Sequence, residues 1–315
     1  MIIDTHHHML PDFFFETTNE IESPVGGLKP QQWTPEASLS FMDEAQIDVA
    51  ILSISSPGIQ LTNANASRKL ARMCNEYAAS LISKFPKRFG GFAALPMTNI
   101  DDAVEEIIYA LDVLKLDGIV LFTNSFGVYL GDKAMRSIFN VLQHYKAVAY
   151  VHPNASPDFV AHTLGLTDNL IDFPVDTTRA IAQLHYSGAF AATSDIKYIF
   201  SHAGGTIPYL AGRFAIVDEM KIMGDSPVAG TAAERFRKIY WDTASAWSDP
   251  VLHTLRHVAG IDKVLFGTDF PYVRKDIAVR SKNHVLGSAE LSVKEKQQIL
   301  GTNALDLFPR FKMNN

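Results

Sequence analysis

The chain has 315 residues, of which 47% are hydrophobic and 20% are charged, and this composition excludes an intrinsically disordered protein. A formal net charge of −6 gives no overall attraction for nucleic acid or for an anionic membrane surface. Cys74 is the only cysteine, which excludes an intramolecular disulfide and a cysteine-based metal cage.

Targeting segments are not indicated either. The first residues lack the cationic region and the long apolar core of a signal peptide. No apolar run approaches the roughly 20 residues that a spanning helix needs. We therefore expect a cytoplasmic enzyme that acts on a small molecule and binds neither nucleic acid nor membrane.

The first predicted strand, residues 1–8, opens with apolar residues and closes on three histidines. Side chains two positions apart on a strand point to the same face, so His6 and His8 are presented together while His7 points toward the surrounding helices. Neutral imidazole is a leading ligand for zinc and related metals. An exposed polar strand end is the alternative, so the interpretation depends on whether later strands end in matching residues.

A long irregular segment, residues 9–33, follows, and loops of this length inside compact domains are usually functional or flexible. Thr34 and Pro35 then predict a helix start, with threonine as the cap and proline at the first helical position. From there helices alternate with short apolar strands. The predicted strands are 48–53, 90–96, 118–123, 147–151, 198–202, 239–243 and 264–269, and the predicted helices are 34–46, 66–84, 101–114, 132–145, 177–191, 206–220, 250–258 and 294–308.

Eight continuously apolar strands that alternate with helices indicate parallel strands covered on the outside. This number of units in this length predicts a single (β/α)₈ barrel domain over residues 1–315, with a long loop insertion after the first strand. A doubly wound sheet is the structural alternative. It would spread the polar residues at the strand ends along an edge, whereas a closed barrel brings them together around one mouth.

The ends of strands one, five, six and eight carry His6, His8, His152, His202 and Asp269. Nitrogen ligands with one carboxylate suit zinc, and a catalytic zinc site keeps a position open for water or substrate. Manganese and iron accept the same ligand types. A core hydrogen bond or a turn cap would explain any one of these residues. Together they predict a site for one divalent metal, Zn²⁺ in the first place and Mn²⁺ as the alternative.

Four segments resemble signature segments of the amidohydrolase superfamily. More narrowly, they are similar to the branch that contains aminocarboxymuconate-semialdehyde decarboxylase and the methylsalicylate- and resorcylate-type aromatic acid decarboxylases. The resemblance runs from the first strand to the eighth. The segments are Asp4-Thr5-His6-His7-His8, Val151-His152-Pro153, Ser201-His202-Ala203-Gly204-Gly205 and Gly267-Thr268-Asp269-Phe270-Pro271.

The resemblance implies a mononuclear centre and assigns roles to its residues. His6, His8, His152 and Asp269 would bind the metal, and His202 would stand beside it as a catalytic group. Binuclear relatives commonly bridge two metals with a carbamylated lysine. Strand four of this chain ends in Phe122-Thr123-Asn124 and offers no lysine, so one metal is expected.

Two reactions fit such a site. In a decarboxylase the metal chelates the substrate carboxylate and a neighbouring hydroxyl, and Asp269 or His202 handles the proton that replaces carbon dioxide. In a hydrolase a metal-bound hydroxide attacks a lactone or amide carbonyl, and Asp269 takes its proton. The metal ligands serve both reactions, so they do not decide between them.

Residues around the strand ends favour decarboxylation of a small aromatic or unsaturated carboxylic acid such as a hydroxybenzoate. The segments 123–126 and 129–132 resemble the methylsalicylate-decarboxylase-like members. Aromatic residues near the strand ends, Phe270 among them, can line an aromatic pocket, although ordinary core packing explains any single one. Asn124 and Phe270 are therefore candidate substrate-binding residues.

Arg213 is the third candidate for substrate binding. In relatives of the aminocarboxymuconate-semialdehyde type, an arginine in the helix after strand six reaches the neighbouring subunit's pocket and holds a carboxylate, and Arg213 occupies the matching place. A guanidinium fork suits a carboxylate because it donates two parallel hydrogen bonds. This resemblance implies a homodimer. A surface salt bridge or a helix-end charge is the alternative role.

A non-catalytic role is the alternative, because a barrel fold does not fix function and can serve as a binding protein. A protein that had lost catalysis would have no reason to keep all five strand-end residues. The sequence therefore favours an enzyme.

Overall fold

The computed structural model describes residues 1–18, 32–154, 165–223 and 230–312. The strands of its eight-stranded sheet are β1 Ile3–His8, β2 Val49–Ser53, β3 Phe89–Ala93, β4 Gly118–Phe122, β5 Val148–His152, β6 Lys197–Phe200, β7 Tyr240–Asp242 and β8 Val264–Leu265. The α-helices are α1 Asp12–Thr18, α2 Pro35–Ala45, α3 Ala64–Lys84, α4 Ile100–Asp112, α5 Arg136–Tyr145, α6 Asp172–Tyr186, α7 Ala189–Ala192, α8 Ile207–Glu219, α9 Ala232–Phe236, α10 Asp249–Val258, α11 Lys275–Gly287, α12 Val293–Gln297 and α13 Ala304–Leu307.

Shorter elements complete the described chain. They are a small hairpin that pairs Asn124–Ser125 with Val128–Tyr129, a π-helical segment at Gln298–Thr302, and 3₁₀ turns at Lys133–Met135, His202–Gly204, Ile261–Lys263 and Pro309–Phe311. Among the described residues, no helix combines the length and the apolar character that crossing a membrane requires. The cytoplasmic location stays a prediction.

The eight strands lie in sequence order, and each pairs with the next in parallel. The segment after β8 then bonds to β1 and closes the ring. The amide of Thr5 donates to the Phe266 carbonyl at 2.9 Å, and the amide of His8 donates to the Phe270 carbonyl at 2.7 Å. This architecture confirms the predicted barrel and removes the doubly wound alternative.

The predicted strand limits differ most at the eighth strand. β8 ends at Leu265, whereas the sequence predicts a strand over residues 264–269. Asp269 lies beyond the strand in a left-handed conformation with φ of 61°, and its amide donates to the His6 carbonyl at 2.9 Å. Closure of the barrel, rather than strand pairing with β7, therefore fixes its position.

The long segment after β1 is described in part. It begins with α1, and residues 19–31 of the predicted loop insertion lie outside the described residues. The predicted helix start after it is confirmed, because Thr34 precedes Pro35 and its side chain accepts from the Ala37 amide at 3.1 Å. This bond satisfies one of the free amides in the first turn of the helix.

Aromatic rings fill the barrel below the polar strand ends. Phe92 and Tyr150 stack with ring centroids 5.1 Å apart, and the Tyr150 ring lies 5.4 Å from the ring of His6. Both aromatic side chains are buried. Close packing of this kind leaves the residues above little freedom to move.

Candidate metal centre

His6 and His8 occupy the inner face of β1 and are both fully buried. Their Nε2 atoms lie 3.1 Å apart, which is the shared-face geometry that their spacing predicted. His7 points the other way. Its Nδ1 lies 3.0 Å from the Asp4 carboxylate and its Nε2 lies 2.8 Å from the Ser38 hydroxyl, so it takes part in a separate buried network.

The later strand ends bring His152, His202 and Asp269 to the same place. One Asp269 oxygen lies 3.3 Å from His6 Nε2 and 3.1 Å from His8 Nε2, and the other lies 3.4 Å from His202 Nε2. The ring of His152 is 5.3 Å from that of His6 between centroids. We call His6, His8, His152, His202 and Asp269 the floor.

Hydrogen bonds on the outer side of the floor set the direction of its imidazoles. His152 Nδ1 lies 2.9 Å from the Pro153 carbonyl, which only accepts, so this nitrogen carries the proton and Nε2 offers a lone pair. His6 Nδ1 likewise lies 2.9 Å from an Asp242 oxygen. Acceptors in this position orient histidine ligands in metal sites.

The donor set fits a divalent cation. One ligand atom from each of His6, His152, His202 and Asp269 lies within 4.8 Å of all the others. In the metal-free protein, burial opposes a charge on His6, but Asp242 and Asp269 raise the pKa of His6 to about 10. A proton would thus take the central position between two carboxylates, and a metal that binds there would displace it.

For His8 and His152, burial outweighs the nearby carboxylate. It lowers the pKa of His8, and it lowers the pKa of His152 well below the ordinary value. Burial also disfavours the charged form of Asp269, but His6 together with the hydrogen bonds from His202, His6 and His8 holds the pKa of that carboxyl well below its usual range. Neutral imidazoles beside an ionised carboxylate are what a zinc or manganese ion requires.

Asp242, at the end of β7, is a further candidate functional residue that the sequence does not single out. It is fully buried. One oxygen faces His6, and the other accepts from the backbone amides of His202 at 2.9 Å and Ala244 at 3.0 Å. Asp242 therefore fixes a candidate ligand and a candidate catalytic residue at once. Its place at a strand end was the signal that could have found it.

The turn that carries His202 depends on two glycines. Gly204 and Gly205 have φ of 69° and 65°, a left-handed conformation that glycine adopts without steric cost. A Cβ atom on Gly204 would stand 2.1 Å from the Trp241 ring, and one on Gly205 would stand 2.0 Å from the Pro174 carbonyl oxygen. His202 itself has φ of 51°, so the site holds its backbone in an uncommon conformation.

A cavity of about 500 Å³ opens above the floor, within the size range of small-molecule sites. His152, His202 and Asp269 form its base. No lysine or arginine is found among the described residues that line it. The remaining lining residues carry hydroxyl, amide or apolar groups and are Ser55, Ser56, Thr167, Asn169, Leu170, Phe173, Pro174, Gly205, Ser245, Ala246 and Tyr272.

The three candidate substrate-binding residues lie outside this lining. Asn124 is buried, and its amide donates to the Asn154 carbonyl at 2.8 Å and to Asp176 at 3.0 Å. Phe270 stacks on Phe41 with centroids 4.3 Å apart and is part of the core. Arg213 is exposed on α8. The structure thus brings together the five floor residues and places these three elsewhere.

Comparisons with known proteins match the whole length. The family model described as Amidohydrolase matches residues 3–310. The decarboxylase yanB of Aspergillus niger is 36% identical over 99% of this chain and 88% of its own length. The 6-methylsalicylic acid decarboxylase acuB of Aspergillus aculeatus is 34% identical over 99% of this chain and 97% of its own.

Solved structures agree with the fold. The crystal structure of an amidohydrolase II superposes with a TM-score of 0.91 at 28% identity, covering 98% of this chain and 100% of that chain. A dihydroxybenzoic acid decarboxylase from Polaromonas sp., solved with manganese and the inhibitor 2-nitroresorcinol, has a TM-score of 0.84 at 22% identity, covering 99% and 98%. At 22% identity, the similarity to the Polaromonas decarboxylase shows a shared fold and no more.

Proposed function

The chain belongs to the amidohydrolase family, and from this premise we propose that it is a metal-dependent, non-oxidative decarboxylase of a hydroxybenzoate-type aromatic acid. The observation that carries the proposal is the floor itself, five convergent metal-binding and proton-transferring side chains under a ligand-sized cavity. Relatives named as decarboxylases match 99% of the chain, and one of them acts on 6-methylsalicylic acid. Hydrolysis of a lactone or amide would use the same floor, but these relatives favour decarboxylation.

We propose that one divalent ion is held by His6, His8, His152 and Asp269, with His202 beside it. When bound, this ion supplies a template and Lewis-acid polarisation for the substrate carboxylate and a neighbouring hydroxyl. The four ligand atoms that lie within 4.8 Å of one another belong to His6, His152, His202 and Asp269 and do not include His8. Either His8 or His202 can therefore be the fourth metal ligand. Metal content measured in His8→Ala and in His202→Ala shows which of the two is the ligand, because the variant that lacks the ligand should lose more metal.

The identity of the ion is open between Zn²⁺ and Mn²⁺. Three imidazoles with a carboxylate suit zinc, and manganese accepts the same ligands. The Polaromonas decarboxylase was solved with manganese. Elemental analysis of protein produced with both metals present, followed by turnover of each metal form, decides which ion the enzyme uses.

Asp269 and His202 carry the proton chemistry. In decarboxylation the bond between the ring carbon and the carboxylate breaks, its electron pair stays on the ring carbon, and a proton takes the place of carbon dioxide. The Asp269 carboxylate and the His202 imidazole lie 3.4 Å apart at the base of the cavity, where together they can hold and deliver that proton. Among the polar groups of the cavity wall, the Asn169 amide can bind a ring hydroxyl, and the Ser56 hydroxyl, which donates to Asn154 at 2.7 Å, can accept from one.

The proposal is tested with metal-loaded protein and a panel of hydroxybenzoates and lactones, with carbon dioxide release and ring opening followed separately. We expect carbon dioxide from at least one hydroxybenzoate. In deuterium oxide, deuterium should appear at the ring carbon that lost its carboxylate. Ring opening of a lactone without carbon dioxide release from any acid would instead identify a hydrolase.

We further propose a homodimer formed through α8. Tyr209, Ile216 and Met220 are 89%, 56% and 66% exposed, and their spacing places them on one side of the helix together with Arg213. An exposed apolar patch of this kind marks an interaction surface. The helix starts two residues after Gly205, which lines the cavity, so Arg213 of a partner copy would arrive near the cavity mouth.

Sedimentation of two matched variants tests the homodimer. Ile216→Glu should give a monomer, whereas Val293→Glu, on an exposed apolar residue of α12, should sediment as the wild type does. Arg213→Ala should raise KM for a carboxylate substrate by about tenfold and leave the metal content unchanged. A wild-type protein that is monomeric and fully active would contradict both the dimer and the role of Arg213.

A further inference from the structure

A second cavity, of about 620 Å³, opens from the same floor. It shares five lining residues with the first cavity, and Asp269 is one of them. The other shared residues are Asn169, Ser245, Ala246 and Tyr272. The two spaces are therefore continuous at the carboxylate that we assign to proton transfer.

We call this second cavity the side groove. One wall is the loop after β7 with the first turn of α10, which contributes Ala246, Trp247 and Val251. The opposite wall is the segment after β8 with the first turn of α11, which contributes Val273 and Ile277. These apolar side chains are neither fully buried nor fully exposed, so they retain surface that a ligand can cover.

Charged side chains are few in the side groove. Apart from Asp269 at the junction, Arg274 is the only charged residue among the described lining residues. Its guanidinium bonds both oxygens of Asp276 at 3.0 Å and 2.9 Å, and its side chain is 75% exposed. Arg274 is therefore already paired. The remaining lining residues are uncharged: the apolar side chains named above lie beside the polar groups of Asn169, Ser245, Ser248 and Tyr272.

We propose that the side groove binds an apolar substituent of the substrate, so that the preferred acids are hydroxybenzoates that carry an alkyl or alkenyl chain. The inference rests on the proposed function, because the reacting ring carbon must lie within reach of Asp269. From there the first cavity takes the ring and its polar groups, and the side groove is the continuous space into which a chain extends. A charged substituent would meet uncharged walls that are mainly apolar instead.

Turnover of a homologous series tests the proposal. The substrates are hydroxybenzoates with methyl, propyl or pentyl at one ring position, with each position examined in turn. Each methylene buried against apolar walls should lower KM about fourfold, while kcat changes little. A KM that stays constant or rises with chain length at every ring position would overturn the proposal.

Variants that fill the side groove distinguish a binding site from an entrance. Ile277→Trp should lower the ratio of kcat/KM for the pentyl and methyl substrates by tenfold or more. The matched control Val293→Trp, on an exposed residue far along the chain, should leave this ratio unchanged. An equal loss for both substrates in Ile277→Trp would show a passage without chain recognition and would overturn the proposal.

Binding of alkylphenols separates a failure of this inference from a failure of the proposed function. These compounds have no carboxylate to lose, so calorimetry with metal-loaded protein reports binding without turnover. We expect Kd to fall about fourfold per methylene, and Ile277→Trp to remove the trend. If no hydroxybenzoate is decarboxylated but this trend is present, the proposed function fails and the side groove stands.

Discussion

Two buried carboxylates, Asp242 and Asp176, make three or more hydrogen bonds each and yet serve different parts of the molecule. Asp242 accepts from His6, His202 and Ala244, so its partners belong to the floor or adjoin it. Asp176, on α6, accepts from the hydroxyls of Thr123 and Tyr129 and from the Asn124 amide. Its partners belong to the end of β4 and to the hairpin that follows it.

The comparison shows that burial and hydrogen bonding alone do not identify a functional carboxylate, and that the partners do. We call Thr123, Asn124, Tyr129, Asn154 and Asp176 the frame. Burial raises the pKa of Asp176, although hydrogen bonds from Thr123, Tyr129 and Asn124 oppose the shift. The frame connects the ends of β4 and β5 to α6, and the Asp176 carboxylate bonds to frame residues rather than to the floor. Changes at Asp176 should therefore act on stability rather than on chemistry.

The largest effect is expected inside the floor. Asp269→Asn and His202→Ala should each lower kcat by roughly 10²–10⁴, the usual contribution of a positioned proton donor. Metal content by elemental analysis and the urea unfolding midpoint should be measured on the same samples. Only a loss of turnover that is not accompanied by a loss of metal or of stability tests the catalytic role. A near wild-type kcat in metal-loaded Asp269→Asn or His202→Ala would refute the assignment of that residue.

Asp242→Asn tests the boundary between floor and frame. An asparagine offers one acceptor oxygen instead of two, and its amide would meet either the His6 Nδ1–H or the His202 N–H. Loss of such an outer partner typically weakens metal binding by about 10–100-fold, and we expect a loss of that size here. Competition with a chelator measures it.

The matched control for Asp242→Asn is Asp262→Asn, the same change at a carboxylate whose side chain is 64% exposed. It should leave metal affinity unchanged. If Asp242→Asn lowered stability and left metal affinity unchanged, Asp242 would have a structural role like that of Asp176, and the two carboxylates would not differ in function.

The floor could be predicted because strand geometry alone places it. His6 and His8 share a face through the two-residue repeat of a strand, and a closed barrel brings the other strand ends to the same mouth. Asp242 was missed because an aspartate at a strand end also suits a turn cap. Only the packing of β7 between β6 and β8 shows that its oxygens face His6 and His202.

The candidate substrate residues depended on details that sequence does not contain. Phe270 follows the left-handed Asp269, and this turn directs its ring onto Phe41 instead of into the cavity. Asn124 starts the small hairpin, whose fold directs its amide toward Asp176. The side groove could not be predicted at all, because it exists only through the separation of two loops.

We expect Asp176→Asn to lower stability and to leave metal binding unchanged, whereas Asp242→Asn should weaken metal binding. Three donors converge on the Asp176 carboxylate, and the amide of an asparagine would leave at least one of them without an acceptor. The free energy of unfolding should fall by about 1–3 kcal/mol, the usual result of a buried unsatisfied group. Metal content and kcat of the folded protein should stay within about threefold, and a loss of metal at unchanged stability would contradict this.

The smallest expected effect concerns His185, which lies on α6 with Asp176 but far along the helix from the frame. Its side chain is buried, its Nε2 lies 3.5 Å from an Asp218 oxygen, and its Nδ1 has no hydrogen-bond partner among the described residues. Burial lowers the pKa of His185, and Arg235 on α9 acts in the same direction, while Asp218 on α8 opposes the shift.

Because the folded-state pKa of His185 lies below its unfolded value of about 6.5, the folded protein binds this proton less readily than the unfolded chain does. The stability that results is fully present above about pH 6.5 and is lost as the pH falls through the folded-state pKa. Urea unfolding midpoints measured between pH 8 and pH 5 should therefore fall less steeply in His185→Gln than in the wild type. His144→Gln, at an exposed histidine of α5, should follow the wild-type curve. Parallel curves for wild type and His185→Gln would show that this histidine contributes nothing to the acid sensitivity of the barrel.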